Sequence, residues 1–153
     1  MSEYQEGCLL CPPRPDDSKL WLKVATLSVS TLYLDRNQTY AGHCQLVFDG
    51  RHVEGLEQLA PEEFQWQMSD LSRAARAIAQ AVQPDLMNYA SMGNVVAHHH
   101  WHLIPRYHGD PRWGKPIYTT DLADMRVTRL EEPMYQAVAA KIRAQLEAER
   151  ESA

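Results

Sequence analysis

The sequence lacks the features of several protein classes. No apolar run approaches the roughly 20 residues of a membrane-spanning helix, and the polar start lacks the basic and apolar regions of a signal peptide. Three cysteines are too few for a complete disulfide framework. There is no basic tract, and a net charge of −5 repels nucleic-acid phosphates. We therefore expect a cytoplasmic protein with no membrane and no nucleic-acid partner.

Length and composition predict a single domain. The 153 residues, 44% of them hydrophobic and 23% charged, suit one globular domain over residues 1–153 with a substantial core. Residues 1–17 contain Cys8-Leu9-Leu10-Cys11 and then a proline-rich run, which predicts an irregular N-terminal arm. The Cys-x-x-Cys spacing is typical of a metal knuckle or a redox pair in a reducing compartment.

The pattern of apolar residues predicts an α+β fold. Segments rich in β-formers predict strands at 20–25, 28–35, 44–48 and 86–90, and Gly and Pro predict an extended loop over 107–130. A stripe at helical spacing predicts a core-facing helix at 61–83, made of Phe64, Met68, Leu71, Ala75, Ile78 and Val82. A second stripe predicts a C-terminal helix at 131–150, made of Tyr135, Val138, Ile142 and Leu146.

Four of the seven histidines lie within five positions, in Val95-Val96-Ala97-His98-His99-His100-Trp101-His102-Leu103-Ile104. The β-forming neighbours predict a strand that ends at Pro105. Alternate side chains of a strand share a face, so we expect His98, His100 and His102 in one row, about 7 Å apart. We expect Trp101 to face the other way, against the first helix.

A catalytic role for this row has simpler alternatives. A single histidine on a strand is more often a half-buried structural side chain. Three on one face are different, because any two protonated together repel each other, a cost that folding alone does not explain. A purification tag is excluded, since the run is internal and interrupted by Trp101.

The segment from His98 to Ile104 resembles the signature of the histidine triad (HIT) family, with His99 at one of its apolar positions. The resemblance runs from about residue 20 to residue 113. It implies a HIT-like antiparallel sheet of about five strands with two main helices. It also implies a nucleotide hydrolase or nucleotidyltransferase that attacks the α-phosphate of a dinucleoside polyphosphate or a nucleoside phosphoramidate, without an organic cofactor.

The resemblance assigns the catalytic roles. His100 is the implied nucleophile, forming a nucleotidyl-histidine intermediate that water hydrolyses, and His102 contacts phosphate oxygens. A neutral imidazole suits the first role when its other nitrogen donates to a fixed acceptor such as a backbone carbonyl. His98 and His43 complete the implied catalytic set.

Further residues occupy the family's nucleotide-binding positions. Asp35 lies eight positions before His43, where family members have an acidic or amide residue that binds ribose. Asn88 matches a phosphate- or sugar-binding Asn, and Asn94 stands where a Gln is usual. Taken singly, Asp35 could cap a turn, His43 could be a surface residue and Asn88 could satisfy a backbone group.

The cysteines raise the question of a metal. Zinc takes four thiolate and imidazole ligands, and Cys8 and Cys11 supply half of such a site. Zinc-containing branches of the resembled family add two histidines, which here are His52 and His98. We therefore expect one structural zinc ion on these four residues. The alternative is that both cysteines are simple thiols in a loose arm.

Two other classes of function stay open. One is a regulatory protein that binds nucleotides with little turnover. The other is a metal-binding protein that uses the histidine cluster. The resemblance also implies a homodimer, with an interface supplied by the loop at 107–120 and the C-terminal helix. Apolar side chains of the first strands, Leu22 or Leu34, would wall the base.

Overall fold

A computed structural model describes residues 4–118 and 125–151 of the chain. Five strands form one antiparallel sheet, namely β1 (Trp21–Thr26), β2 (Ser30–Asp35), β3 (Cys44–Phe48), β4 (Leu86–Ala90) and β5 (His100–Arg106). Their order across the sheet is β1-β2-β3-β5-β4. Two long helices complete the fold, α1 (Pro61–Val82) and α2 (Glu132–Glu151). The predicted α+β class is confirmed.

Both helices cover one face of the sheet. Alternate strand residues point toward this face and form the core together with side chains of α1 and α2. The strands contribute Leu32, Leu34, Leu46 and Leu103, and the helices contribute Ile78, Ile142 and Leu146. Burying each such side chain stabilises the fold by about 1.5–3 kcal/mol. The opposite face of the sheet lacks a helical cover within the described residues, and it carries the polar side chains of β5.

The turn between β1 and β2 is held by α1. The buried carboxylate of Asp70 accepts hydrogen bonds from the backbone N–H groups of Ser28 and Val29, at 3.0 and 2.8 Å. The carboxylate thus satisfies two backbone N–H groups of the turn that would otherwise lack an acceptor in the sheet. The position of α1 relative to β2 follows from this contact as well as from apolar packing.

The predicted core stripe of α1 was wrong in part. Phe64 is 42% exposed, and the helix instead buries Gln67, Asp70, Ala74, Ala77 and Ile78. Ile78 is fully buried and Leu71, Ala75 and Val82 pack against the core, as predicted. Asp70 shares the buried side of the helix because its carboxylate binds the β1–β2 turn. Met68, Leu71 and Ala75 also border a groove with Met87 and Tyr89.

The histidine strand starts later than predicted. The N–H of His98 donates to the carbonyl of Val96 at 2.8 Å, closing a turn. Regular pairing with β3 therefore begins at His100, and His98 lies outside the strand. At the other end the strand continues through Pro105 to Arg106, paired with β4.

The irregular segments are anchored. In the N-terminal arm, Nε of Arg14 donates to the hydroxyl of Tyr33 at 3.0 Å and its Nη2 contacts Asp49, which seats the arm on β2 and β3. The predicted loop at 107–130 has no strand or helix over 107–118 and 125–130, and residues 119–124 lie outside the described residues. Within the described ranges, no helix is long and apolar enough to cross a membrane.

Candidate active site

A cavity of about 640 Å³ lies on the sheet face opposite the helices. It brings together four of the residues predicted for the site, His100, His102, Asp35 and Asn94. One flank is apolar and is formed by side chains of the N-terminal arm, of β1 and its approach, and of later loops, including Leu10, Leu20, Trp21, Val96 and Val127. The cavity thus combines a few polar and ionisable side chains with an apolar wall, as small-molecule sites commonly do.

His100 is held by the backbone before it. Its Nδ1 donates to the carbonyl oxygen of His98 at 2.6 Å. The carbonyl fixes the proton on Nδ1, so the lone pair is on Nε2. Ser91 secures the same residue from the other side, because its hydroxyl donates to the carbonyl of His100 at 2.9 Å. His100 is therefore held in one orientation, with Nε2 free of that hydrogen bond.

His102 forms a pair with His43. Nδ1 of His102 lies 3.1 Å from Nε2 of His43, and the His100 and His102 rings are 5.1 Å apart. Burial lowers the pKa of His43, while burial together with His43 and His100 lowers the pKa of His102 to about 3. Both imidazoles are neutral at pH 7, so a single N–H is shared along their hydrogen bond.

Asp35 sits at the end of β2 beside this pair. One carboxylate oxygen accepts the N–H of Asn37 at 2.7 Å and the other accepts Nε2 of Gln45 at 2.6 Å. These bonds fix the carboxylate in the cavity wall, where it faces the ligand space. One carboxylate oxygen of Asp35 and one ring nitrogen each of His43 and His102 lie within 4.8 Å of one another.

Some predicted residues lie elsewhere. Asn88 borders a neighbouring cavity. Its Oδ1 accepts a hydrogen bond from Nη1–H of Arg106 at 2.7 Å, which holds the amide there. Leu22 and Leu34, expected to wall the base, are buried in the helix-side core. The alternation of strand residues accounts for this, since their neighbours Trp21 and Asp35 point to the cavity.

The four predicted metal ligands come together beneath the arm. Tetrahedral zinc places its thiolate and imidazole atoms roughly 3.5 Å apart. Nδ1 of His98 lies 3.5 Å from Sγ of Cys8 and 3.6 Å from Sγ of Cys11, and Sγ of Cys11 lies 3.4 Å from Nδ1 of His52. Nε2 of His98 donates to the carbonyl of Phe48 at 2.8 Å, which turns its other nitrogen toward the thiols. The donor set fits zinc.

The histidine row is therefore divided between two clusters. His98 faces the cysteines, whereas His102 faces His43 and Asp35. Burial raises the pKa of the Cys11 thiol, which disfavours the thiolate. A bound cation would offset this cost and stabilise the thiolate form.

The HIT domain family matches residues 22–109, which include β1 from its second residue, β2 to β5, α1 and all of the clustered histidines. The chain belongs to the HIT domain family. This membership supports a nucleotide hydrolase or transferase.

Individual HIT relatives are similar over most of this chain. Adenylylsulfatase HINT3 from Arabidopsis thaliana is 29% identical over 117 residues, or 73% of this chain, which spans only 58% of that relative. A histidine triad protein from Marinobacter aquaeolei is 25% identical with a TM-score of 0.74, covering 84% of this chain and 90% of that one. A zinc-bound family protein from Mycobacterium smegmatis is 20% identical with a TM-score of 0.61, covering 86% and 87%.

Sequence reasoning missed several contributors to the HIT site. Gln45, Ser91 and Tyr118 orient or border its polar groups, and Tyr118 stacks edge-on against His102 with ring centroids 5.9 Å apart. Burial and the nearby Asp35 raise the pKa of Tyr118 to about 12. Gln45 had a detectable signal, because it alternates with the core residues of β3 and so points to the cavity.

The neutral His102 predicts a specific dependence of stability on pH. An unfolded histidine titrates near pH 6.5. Between that pH and about 3 the unfolded chain binds a proton that the folded chain excludes, so stability is lost as the pH falls. In urea titrations between pH 6 and 5, we expect the native free energy of unfolding to fall more steeply than that of His102→Gln, by about 1.4 kcal/mol per pH unit. Parallel slopes would contradict this assignment.

Proposed function

We propose that the chain is a nucleotide hydrolase or nucleotidyltransferase in which Nε2 of His100 attacks the α-phosphorus of a nucleoside phosphate derivative. The observation that carries this proposal is the 2.6 Å hydrogen bond from Nδ1 of His100 to the His98 carbonyl. A backbone acceptor cannot take the proton away. It therefore keeps the attacking nitrogen basic and stabilises the imidazolium that forms during attack.

The reaction proceeds in two displacements. An Nε2–P bond forms while the bond from phosphorus to the leaving group breaks, and the leaving group departs with the electron pair. A polyphosphate leaving group is stable as an anion and needs no proton, whereas the amine of a phosphoramidate gains a proton from solvent as the P–N bond breaks. Water then attacks phosphorus, the N–P bond breaks, the electron pair returns to Nε2 of His100, and the proton of water passes to solvent. If a phosphate acceptor replaces water, the same intermediate yields transfer.

The other cavity residues supply binding and charge stabilisation. If Nε2–H of His43 donates to Nδ1 of His102, then His102 carries its own proton on Nε2 and can donate it to a non-bridging phosphate oxygen. Asp35 accepts the ribose hydroxyls, with its carboxylate fixed by Gln45. The amide of Asn94 lines the same cavity and can reach the phosphate region.

An adenylyl derivative is the substrate class that the comparisons favour. The name of the HINT3 relative specifies an adenylylated sulfate, in which the leaving group is a stable anion bound to the α-phosphate. Dinucleoside polyphosphates and phosphoramidates share the same α-phosphorus. The apolar flank formed by Leu10, Leu20 and Val127 suits a purine base.

We also propose that Cys8, Cys11, His52 and His98 hold one structural zinc ion. Zinc would act there as a cross-link with no part in the chemical steps. It would pin the arm to the end of β3 and fix the backbone of His98, whose carbonyl orients His100. The three cysteines form no disulfide, and two of them are placed to bind a metal, which suits a reducing compartment, so we place the protein in the cytoplasm.

We further propose a homodimer formed through β4. This strand is an edge of the sheet, and an unpaired edge readily joins another strand. Beside it, Met68, Leu71, Met87 and the 48% exposed Tyr89 border an apolar groove with α1. Pairing two copies of β4 about a two-fold axis would cover both grooves. The apolar face of α2 is already buried against β1 and α1, so α2 is the weaker choice for an interface.

The first test is release of AMP. We expect the native protein to release AMP from at least one of adenylyl sulfate, adenosine phosphoramidate and diadenosine polyphosphates. His100→Ala should reduce the rate at least about 1,000-fold, because the nucleophile is lost. His108→Ala, which removes an exposed imidazole outside the cavity, is the matched control. AMP binding without release from any substrate would instead support a regulatory nucleotide-binding protein.

Metal content tests the zinc site. We expect about one zinc ion per chain in untagged protein, loss of that zinc in Cys11→Ala, and its retention in Cys44→Ala, because Cys44 is buried in β3 among core residues away from the cluster. Measurement by plasma emission spectrometry decides the point. Native protein without stoichiometric zinc would overturn the proposal.

Light scattering at micromolar concentration tests the interface. We expect twice the 17.5 kDa chain mass for the native protein and the monomer mass for Tyr89→Lys, because the new charge would enter the shared apolar groove. Met134→Lys changes an equally exposed apolar residue on α2 and should leave the dimer intact. If Met134→Lys alone dissociates the dimer, the interface lies at α2. A monomeric native protein would refute a dimer altogether.

A further inference from the structure

Cys8 and Cys11 stand at the two ends of one turn in the N-terminal arm. The N–H of Cys11 donates to the carbonyl of Cys8 at 3.3 Å, which is the hydrogen bond of a β-turn. Such a turn keeps its terminal Cα atoms within about 7 Å, and a disulfide needs about 4.4–6.8 Å. Both sulfurs point the same way, because they lie 3.5 and 3.6 Å from Nδ1 of His98. The backbone therefore allows a bond between them.

A separate cavity of about 410 Å³ gives access to both thiols. Residues 4–7 and 12–13 of the arm form its walls, and the two cysteines line it as well. Cys8 is half-buried, whereas Cys11 is only 6% exposed. A small oxidant such as hydrogen peroxide fits this space, and Cys8 is the thiol that it reaches first.

The same turn forms part of the histidine cavity. Leu9 and Leu10, the central residues of the turn, line that cavity. Leu10 is 4% exposed and packs with Trp21 and Val47. Val47 lies directly opposite His100 in the sheet, so their side chains share a face. A movement of the turn therefore changes the wall of the nucleotide cavity.

We propose that Cys8 and Cys11 are a reversible disulfide-forming site, in which oxidation by a hydroperoxide displaces the metal and weakens nucleotide binding. The proposal rests on the zinc site and the nucleotide site proposed above. It adds a modification that neither of them requires. Disulfides in cytosolic proteins are usually transient and catalytic or redox-sensing, which fits a bond made and broken in this way.

The oxidation proceeds in two displacements. The Cys8 thiolate attacks one oxygen of hydrogen peroxide, the O–O bond breaks, and a sulfenic acid and hydroxide form. The Cys11 thiolate then attacks the Cys8 sulfur, an S–S bond forms, the S–O bond breaks, and a second hydroxide leaves. Two protons from solvent convert both hydroxides to water. The peroxide receives two electrons from the sulfurs, and a thiol reductant returns them to reverse the reaction.

The disulfide cannot hold the metal. Thiolates are the form of cysteine that binds metals, and a disulfide sulfur carries no charge. Only His52 and His98 would remain as ligands, whereas a structural zinc site takes four. The distance between the sulfurs also falls to about 2.05 Å, from the roughly 3.5 Å that separates two ligands of one zinc ion. The turn that carries Leu9 and Leu10 must therefore tighten.

Treatment of the reduced, zinc-loaded protein with hydrogen peroxide tests the site. We expect the peptide that contains both cysteines to lose about 2 Da, the mass of the two hydrogens removed. Zinc should appear on a chromogenic chelator in an amount equal to the disulfide, and dithiothreitol with added zinc should reverse both changes. Cys44→Ala, which removes a fully buried thiol of β3, is the control and should behave like the native protein.

Calorimetry with AMP measures the effect on the nucleotide site. We expect the oxidised protein to bind AMP about 10-fold more weakly than the reduced protein, because the wall formed by Leu10 has moved. Cys11→Ser cannot form the bond, so its Kd for AMP should be the same before and after peroxide.

Three results would contradict the proposal. Oxidation to a sulfinic acid without a disulfide, or a disulfide that leaves zinc bound, would refute the site. Equal Kd values for the oxidised and reduced native protein would refute its effect on the nucleotide. If the native protein holds no zinc or releases no AMP, those proposals fail separately, because the peptide mass still decides whether the disulfide forms and AMP binding needs no turnover.

Discussion

The site depends on the orientation of one residue, His98, which has three polar atoms in contact with partners in different directions. Its Nε2 donates to the Phe48 carbonyl, its Nδ1 faces Cys8 and Cys11, and its own carbonyl receives Nδ1 of His100. Because the His98 side chain is held on one side and the His98 carbonyl on the other, this peptide group cannot rotate freely. The arm, the end of β3 and His100 are therefore held in fixed positions relative to one another, although they are far apart in sequence.

The sheet separates stability from chemistry by its two faces. The helix-facing residues Leu32, Leu46 and Leu103 are fully buried, and their burial is the main source of stability. Their strand neighbours point the other way and are free to be polar, because they contribute little to that core. Asp35, Gln45 and His102 all occupy this second face. The same alternation explains why a strand can carry costly neutral histidines without loss of fold.

The alternation also explains what could be predicted from sequence. The bounds of β3 and β4 agree with the expectation, and those of α1 differ by one residue, because period and turn residues are local signals. The burial of Asp70 on α1 could not be predicted, since its carboxylate is buried by hydrogen bonds to a turn about 40 residues away in sequence. The four metal ligands were predicted from the family resemblance. Tyr118 was not, because it reaches His102 only after the loop folds over the sheet.

Arg106 shows how a buried charge can shape a site without being a favourable source of stability. A buried ion pair loses hydration on both partners, and its net contribution is often close to zero. Breaking it is costly, however, because one charge is left unpaired. Arg106 therefore restricts the loop to conformations in which Asp110 and the carbonyls of Arg112 and Lys115 accept four of its five N–H groups. The fifth N–H donates to Oδ1 of Asn88 in the neighbouring cavity, so the loop and β4 are fixed together, and neither can shift without leaving a buried donor unsatisfied.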